Sequence, residues 1–175
     1  MAHHDGQYLD EDDAQNVIAL NELNILVCIW TIKSHIQLPL YFATRPNIKQ
    51  IENLQFFIDN KSDNRVTEIE SGLQYLVLEK GNPEGISPNS DQIISAHFHG
   101  TLTNGEVFWS SLDSEPLTIE LSKLIIGCQK IISLMKVGDK WRAFIDPTMA
   151  YGEEGRPGIP SNSILIFDIE LIAVN

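Results

Sequence analysis

The sequence predicts an α+β protein in which a curved antiparallel β-sheet, a half-barrel, wraps around one short helix and follows an N-terminal extension that is partly helical. Two observations predict this fold. From residue 72 onward the chain consists of short apolar or alternating runs separated by turn residues, which is typical of antiparallel strands. Within that region, only residues 124–136 place apolar side chains at the spacing of a helix.

The composition indicates a globular protein and excludes several kinds of partner. Of the 175 residues, 43% are hydrophobic and 21% are charged, so the chain has enough apolar residues to bury a core. Acidic residues outnumber basic ones 24 to 12, and the formal net charge is −12. Such a chain is repelled by polyanions, so we expect neither nucleic acid nor an anionic membrane surface as a partner.

Residues 1–46 form an extension whose structure the sequence leaves open. An acidic run at 10–13 favours a helix start before the apolar residues 14–23. Between residues 28 and 40 the apolar residues fall mostly on even positions, which is the period of a strand. Polar side chains near the middle of this stretch, such as Lys33, argue against a membrane span. We expect a segment that packs on the downstream domain, or an apolar surface that closes by forming a homodimer.

Neither the first residues nor the cysteines indicate an exported, disulfide-bonded protein. The sequence does not start with a basic segment followed by an apolar one, so a cytoplasmic location is expected. If the first residue is not the native one, a periplasmic or exported location is the alternative. Cys28 and Cys128 lie far apart, without the spacing of a metal site, and are expected to be free buried thiols.

The sequence predicts a connector helix and a linker at residues 47–69. It predicts a separate domain at residues 70–175. Ile48, Ile51, Leu54 and Ile58 recur at helical spacing, and a polar stretch follows Asn60. The helix of residues 124–136 is expected to end before Gly138, leaving a pocket between its N-terminus and the sheet. The predicted strands are residues 72–79, 92–103, 117–121, 140–146 and 163–174.

Several motifs in residues 70–175 follow one another in a familiar order. They are residues 71–75, residues 96–102 with the Asn104-Gly105 turn and Phe108, residues 134–138, residues 150–152 and residues 159–171. Together they resemble the FKBP family of peptidyl-prolyl cis-trans isomerases, and the lead-in at residues 56–60 is similar to the bacterial Mip-like branch. The resemblance implies an enzyme without metal or cofactor that isomerises Xaa-Pro bonds during protein folding. It also implies proline-containing polypeptides and macrolides of the rapamycin type as ligands.

The same resemblance implies a set of site residues. Tyr151 would donate its hydroxyl to a substrate carbonyl, and the backbone N–H of Ile125 would bind another. The residues expected to be catalytic are Tyr151, Phe108, Phe98 and Phe167. Those expected to bind the peptide are Ile125, Leu124, Leu117, Ile159, Trp109 and Cys128.

Four positions depart from the family pattern. Trp109 and Phe98 stand where the family usually has an acidic residue and a tyrosine, and Ser114 replaces a basic residue. Cys128 replaces the tryptophan of the pocket floor, so the floor is expected to be deeper or refilled by a neighbour. Trp109 is one candidate, turning an aromatic surface toward the pocket from its rim, and an exposed or dimer-buried Trp109 is the alternative. These changes keep open an alternative function: a weakly catalytic or non-catalytic peptide-binding chaperone or dimeric scaffold.

His97 and His99 flank Phe98 and are expected to point away from the pocket, because neighbouring side chains on a strand alternate between faces. Two histidines at this spacing can hold a metal ion. Since no third ligand lies nearby in sequence, we expect them to face solvent instead.

Overall fold

The computed structural model describes residues 48–175, which form one compact unit. The helix and the alternating segment expected within residues 1–46 lie outside the described residues. No helix within residues 48–175 is long and apolar enough to cross a membrane. The elements are α1 (Ile48–Asn60), β1 (Val66–Glu70), β2 (Leu73–Glu79), β3 (Ile93–Leu102), β4 (Val107–Ser110), β5 (Leu117–Glu120), a 3-10 turn (Leu121–Lys123), α2 (Ile126–Ile132), β6 (Lys140–Ile145), a second 3-10 turn (Pro147–Met149) and β7 (Leu165–Val174).

The strands form one antiparallel sheet of seven, in the order β1-β2-β6-β7-β3-β4, with β5 pairing with β3 beside β4. The long strands β3 and β7 pair from Ile94↔Val174 to Leu102↔Leu165 and form the centre of the sheet. Register shifts in several pairs add local twist, and such irregularities help a sheet to curve. The predicted fold class, an open antiparallel sheet around a short helix, is confirmed.

The main core lies between α2 and one face of the sheet. Ile131, Ile132 and Met135 have no solvent exposure, and they face residues such as Ile145 and Leu165 that are equally buried. Burying each such side chain contributes roughly 1.5–3 kcal/mol. This packing fixes the N-terminus of α2 against the sheet, where the pocket opens.

α1 covers the opposite face of the sheet through a different set of residues than its sequence predicts. The expected apolar face is largely exposed, with Ile48 at 75%, while Phe57 packs with Phe144 and Ile164. Buried amides add polar contacts between α1 and the rest of the domain, and Asn53 is one of them. The helix was predicted correctly, but its buried side was not. The side that packs on the sheet carries Phe57 and the hydrogen-bonded amide of Asn53, and the isoleucines lie on the exposed side.

Two further elements differ from the expected ones. β1 lies in the stretch predicted as a linker, because its alternating polar residues fit an edge strand, and it pairs with β2. α2 is shorter than residues 124–136 and ends at Ile132, after which Leu134 and Met135 form turn-like hydrogen bonds. Gly138, at φ +89°, belongs to a later turn and does not end the helix.

Candidate active site

A cavity of about 440 Å³ opens between the N-terminus of α2 and the concave face of the sheet. All ten residues that the sequence singled out lie in its lining, although they come from β3, β4, β5, β7, α2 and two loops. Three others complete the lining: Lys123, Arg156 and Pro157. The structure thus brings the expected residues together in one place, and their roles stay predictions.

Three phenylalanines form one wall of the cavity. The Phe167 ring meets Phe108 at 5.3 Å and 89° and meets Phe98 at 6.2 Å and 81°, so both contacts are edge-to-face. Such contacts are worth about 0.5–1.5 kcal/mol beyond buried area. Gly100 allows this packing, because a Cβ there would lie 2.5 Å from Phe108 and 2.7 Å from Phe167. The wall is therefore apolar and rigid.

Trp109 lies at the rim of the cavity. Its ring centroid is 5.8 Å from that of Phe98 and tilted by 53°, and 41% of the residue is exposed. It therefore extends the aromatic wall outward and does not cover Cys128 at the floor. This position fits both the expected aromatic surface at the rim and the expected exposed tryptophan, and burial in a dimer stays a prediction.

Cys128 forms part of the floor and is 2% exposed. Burial raises the pKa of its thiol to about 12, because a thiolate would be poorly solvated there. The group is therefore protonated at neutral pH and acts as a small apolar surface. Its expected state as a free buried thiol is confirmed, whereas Cys28 lies outside the described residues.

Tyr151 lies at the cavity in contact with Arg156. The Arg156 Nη1 donates to the Tyr151 hydroxyl oxygen at 2.8 Å, and the guanidinium carbon lies 4.8 Å from the ring centroid. Because arginine only donates, the Tyr151 oxygen accepts and its own O–H stays free to donate into the cavity. This is the polarity that a substrate carbonyl needs.

Leu124 and Ile125 lead into α2. Ile125 is the N-cap residue, with an extended backbone, and no acceptor among the described residues takes its N–H. An unpaired N–H at a helix start is an available donor. The Leu124 carbonyl accepts from Gln129 Nε2 at 2.6 Å, which holds this turn in place.

Tyr151, Arg156, Pro157 and Ile159 all belong to one loop, residues 151–162, here called the pocket loop. Its two ends are joined where the Asn162 N–H donates to the Gly152 carbonyl at 2.8 Å. A short turn closes its tip, with Arg156 and Ile159 exchanging backbone hydrogen bonds. The position of Tyr151 therefore depends on how this loop is anchored.

The two histidines beside Phe98 bond to residues outside the cavity. His97 Nδ1 lies 3.1 Å from the Ser111 carbonyl oxygen, and His99 Nδ1 lies 3.1 Å from Ser110 Oγ. Within residues 48–175 no three His, Cys, Asp or Glu side chains gather as metal ligands. Ser114, in the same region, donates its hydroxyl to the Ser111 carbonyl and not to an ionic partner.

The sequence reasoning missed the charged members of the lining, Lys123 and Arg156. In the sequence, Arg156-Pro157-Gly158 has the composition of a turn, and neither Arg156 nor Lys123 belongs to a motif that indicates a site. Their proximity to the expected residues Leu124 and Tyr151 was the available signal. Among described residues, the cavity lining holds these two cations and no carboxylate.

Comparisons with known proteins agree with this geometry. The family model of FKBP-type peptidyl-prolyl cis-trans isomerases matches residues 84–172. The FKBP-type isomerase FkpA of Aeromonas hydrophila is 40% identical over 121 residues, covering 69% of this chain and 44% of that protein. The isomerase Mip of Coxiella burnetii is 40% identical over 121 residues, covering 68% of this chain and 52% of that protein. The protein described here belongs to the FKBP-type peptidyl-prolyl cis-trans isomerase family.

A solved structure shows the same fold. The peptidyl-prolyl isomerase of Pseudomonas syringae pv. tomato superimposes with a TM-score of 0.68 at 29% identity, covering 75% of this chain and 98% of that one. The chain spans about half the length of the two curated relatives above, 44% and 52%. The resemblance to the bacterial Mip-like branch, expected from the sequence, is confirmed.

Proposed function

We propose that this protein is a peptidyl-prolyl cis-trans isomerase that acts on Xaa-Pro bonds during protein folding. The observation that carries the proposal is the cavity in which the edge-to-face phenylalanine wall meets the hydroxyl of Tyr151. A prolyl ring fits an aromatic, apolar wall of this kind. Membership of the isomerase family supports the same conclusion.

The chemistry requires no bond to be made or broken. Amide resonance opposes rotation with a barrier of about 18–20 kcal/mol, and the twisted amide has lost that resonance. A dry aromatic site favours the less polar twisted state over the planar one. Phe98, Phe108 and Phe167 provide the dry wall, while the Tyr151 O–H and the Ile125 N–H hold flanking carbonyls.

A protease-coupled assay on an Xaa-Pro peptide tests the proposal. Tyr151→Phe removes one hydrogen bond to the peptide and is expected to lower kcat/KM about two- to tenfold. Tyr75→Phe is the matched control, because Tyr75 stacks on Trp141 at 4.3 Å and does not line the cavity. A rate equal to that of buffer, unchanged by Tyr151→Phe, would exclude isomerase activity.

A macrolide of the rapamycin type is a second ligand that we propose for the cavity. Its support is the apolar aromatic lining, which suits a pipecolyl-type ring as well as a prolyl one. Competition between the macrolide and the peptide is the expected result. Nothing in the pocket or in the comparisons favours the weakly catalytic or non-catalytic alternative, which predicts ligand binding with little or no isomerase rate.

A homodimer through residues 1–46 is also a proposal. It is supported by the apolar stretch of residues 28–42, which a second copy would cover. Sedimentation of the full chain over a range of concentrations tests it. A monomer at all concentrations would contradict it.

A further inference from the structure

Asn53 of α1 binds the base of the loop that carries Tyr151. Its side-chain Nδ2 donates to the backbone carbonyl of Asn162 at 2.9 Å, and both residues are buried. Asn53 does not line the cavity, since α1 covers the other face of the sheet. The bond therefore reaches the pocket loop from behind the site.

Asn162 passes this restraint on to Tyr151 through the backbone. Its N–H donates to the Gly152 carbonyl at 2.8 Å, and the Gly152 N–H donates to the Pro147 carbonyl at 2.8 Å. Asn162 holds a left-handed backbone at φ 54°, which asparagine tolerates better than most residues. Because Gly152 directly follows Tyr151, a shift of Asn162 moves the residue that presents the hydroxyl.

An apolar contact fixes the chain just beyond Asn162. Ile164 is buried in a cluster with Phe57 of α1 and Phe144 of β6. This apolar contact stabilises the packing but is non-directional, whereas the hydrogen bond from the Asn53 amide has a defined distance and angle. The two contacts together tie the end of the pocket loop to α1.

We propose that Asn53 is a positioning residue for this pocket, setting the place of Tyr151 through Asn162 and Gly152. The proposal rests on the isomerase function proposed above and concerns how the pocket is held in shape. Small displacements of positioned groups are costly, up to about a hundredfold for 1 Å. Losing the bond is expected to lower kcat/KM by roughly three- to tenfold.

The test compares two buried side-chain amides at the contact between α1 and the rest of the domain, Asn53 on α1 and Gln74 on β2. Asn53→Leu removes the donor to the loop and keeps the branched shape and the number of heavy atoms of the side chain. Gln74→Leu is the matched control, because Gln74 accepts from Asn60 Nδ2 at 2.9 Å and donates to the Phe57 carbonyl at 3.0 Å. It anchors α1 but touches no part of the pocket loop.

Two readouts are measured on the full chain, each variant well below its own Tm: kcat/KM on an Xaa-Pro peptide and exchange of the Asn162 amide proton. We expect Asn53→Leu to lower the first and speed the second, while Gln74→Leu changes neither beyond the effect of its lower stability. Equal effects of the two variants would show that α1 docking alone matters and would overturn the proposal. Unchanged exchange in Asn53→Leu would also overturn it.

Asn53→Asp adds a pH-dependent version of the same test. An ionised carboxylate cannot donate to the Asn162 carbonyl, whereas the protonated acid can. Burial raises the pKa of such a group, so loop protection in this variant should recover as pH falls from about 8 to about 5. Asn53→Leu should show no recovery over that range, and equal pH profiles for the two variants would count against the bond.

The exchange readout separates this proposal from the proposed function. If the wild-type protein has no isomerase rate, the proposed function fails while loop exchange still decides whether Asn53 positions the loop. If the rate is present and loop exchange is unaffected in Asn53→Leu, the function stands and the positioning role fails.

Discussion

The guanidinium of Arg156 contacts Tyr151 in two ways, by a hydrogen bond of 2.8 Å to the phenolic oxygen and by lying 4.8 Å from the ring centroid. Both contacts favour one orientation of the ring, in which the tyrosine O–H points away from the guanidinium. Arginine suits this geometry because its planar group both donates and stacks. Arg156 is thus a candidate for orienting the proposed donor.

Replacing Arg156 by methionine is expected to reduce kcat/KM about two- to fivefold, since an exposed cation-π contact and one hydrogen bond are each worth up to about 1 kcal/mol. Arg156→Met in a Tyr151→Phe background should have a smaller effect than in the wild type, because the hydroxyl it orients is gone. Arg65→Met is the control, as Arg65 pairs with Asp63 in a distant turn. Additive losses in the double variant would argue against the coupling.

Charge at the cavity predicts a preference among peptides. Lys123 and Arg156 line it without any carboxylate, although the chain carries net charge −12. Exposed ion pairs contribute about 0.2–1 kcal/mol, so a Glu-Pro peptide should gain roughly 1.5- to 5-fold in kcat/KM relative to the same peptide with Gln-Pro. The gain should shrink in Lys123→Met and in high salt. A preference that is insensitive to salt would point to a cause other than charge.

Gly100→Ala is expected to damage the aromatic wall. The added methyl group would overlap the rings of Phe108 and Phe167, and overpacking of this kind costs about 1–3 kcal/mol. We expect a lower Tm together with a loss of activity greater than the loss of folded protein. Ser95→Ala on the same strand removes only an exposed hydroxyl pair with Thr118 and should change the free energy of unfolding by less than about 0.5 kcal/mol.

Reactivity of Cys128 provides a test of the pocket floor. Since burial raises the pKa of its thiol to about 12, little thiolate exists at neutral pH and labelling by a thiol reagent should be slow in the folded protein. In the unfolded chain the pKa returns toward its ordinary, lower value, so stability should fall as pH rises from about 9 toward 12. Labelling is measured in a Cys28→Ser variant, with Cys128→Ser added as the blank. Rapid labelling of the folded protein at neutral pH would contradict a closed floor.

The sequence predicted the central elements because their signals are local. The alternation in β3 and β7 and the Asn104-Gly105 turn are local patterns that the structure retains. The buried side of α1 was not predictable in this way, because it depends on Phe57 meeting Phe144 and Ile164, far away in sequence. β1 was not predicted because it is an edge strand with mostly exposed residues, so its sequence lacks a clear apolar pattern.

In the candidate site, too, some residues were predictable from the sequence and others were not. Its apolar residues were found through the family resemblance, which orders them along the chain. Arg156 was missed because a charged residue in a turn is ordinarily solvated, and only the folded loop shows it against Tyr151. Asn53 has no sequence signal at all, since its partner is a backbone carbonyl 109 residues away.

The hydrogen bonds between Gln74 and α1 also limit where this chain can be truncated. Gln74 is fully buried, and both of its side-chain partners, Asn60 Nδ2 and the Phe57 carbonyl, belong to α1. A fragment beginning at residue 70 would leave that amide without these partners and expose Phe144 and Ile164 to water. Expression of the domain alone should therefore start before Ile48, and a shorter product is expected to aggregate through the uncovered face of its sheet.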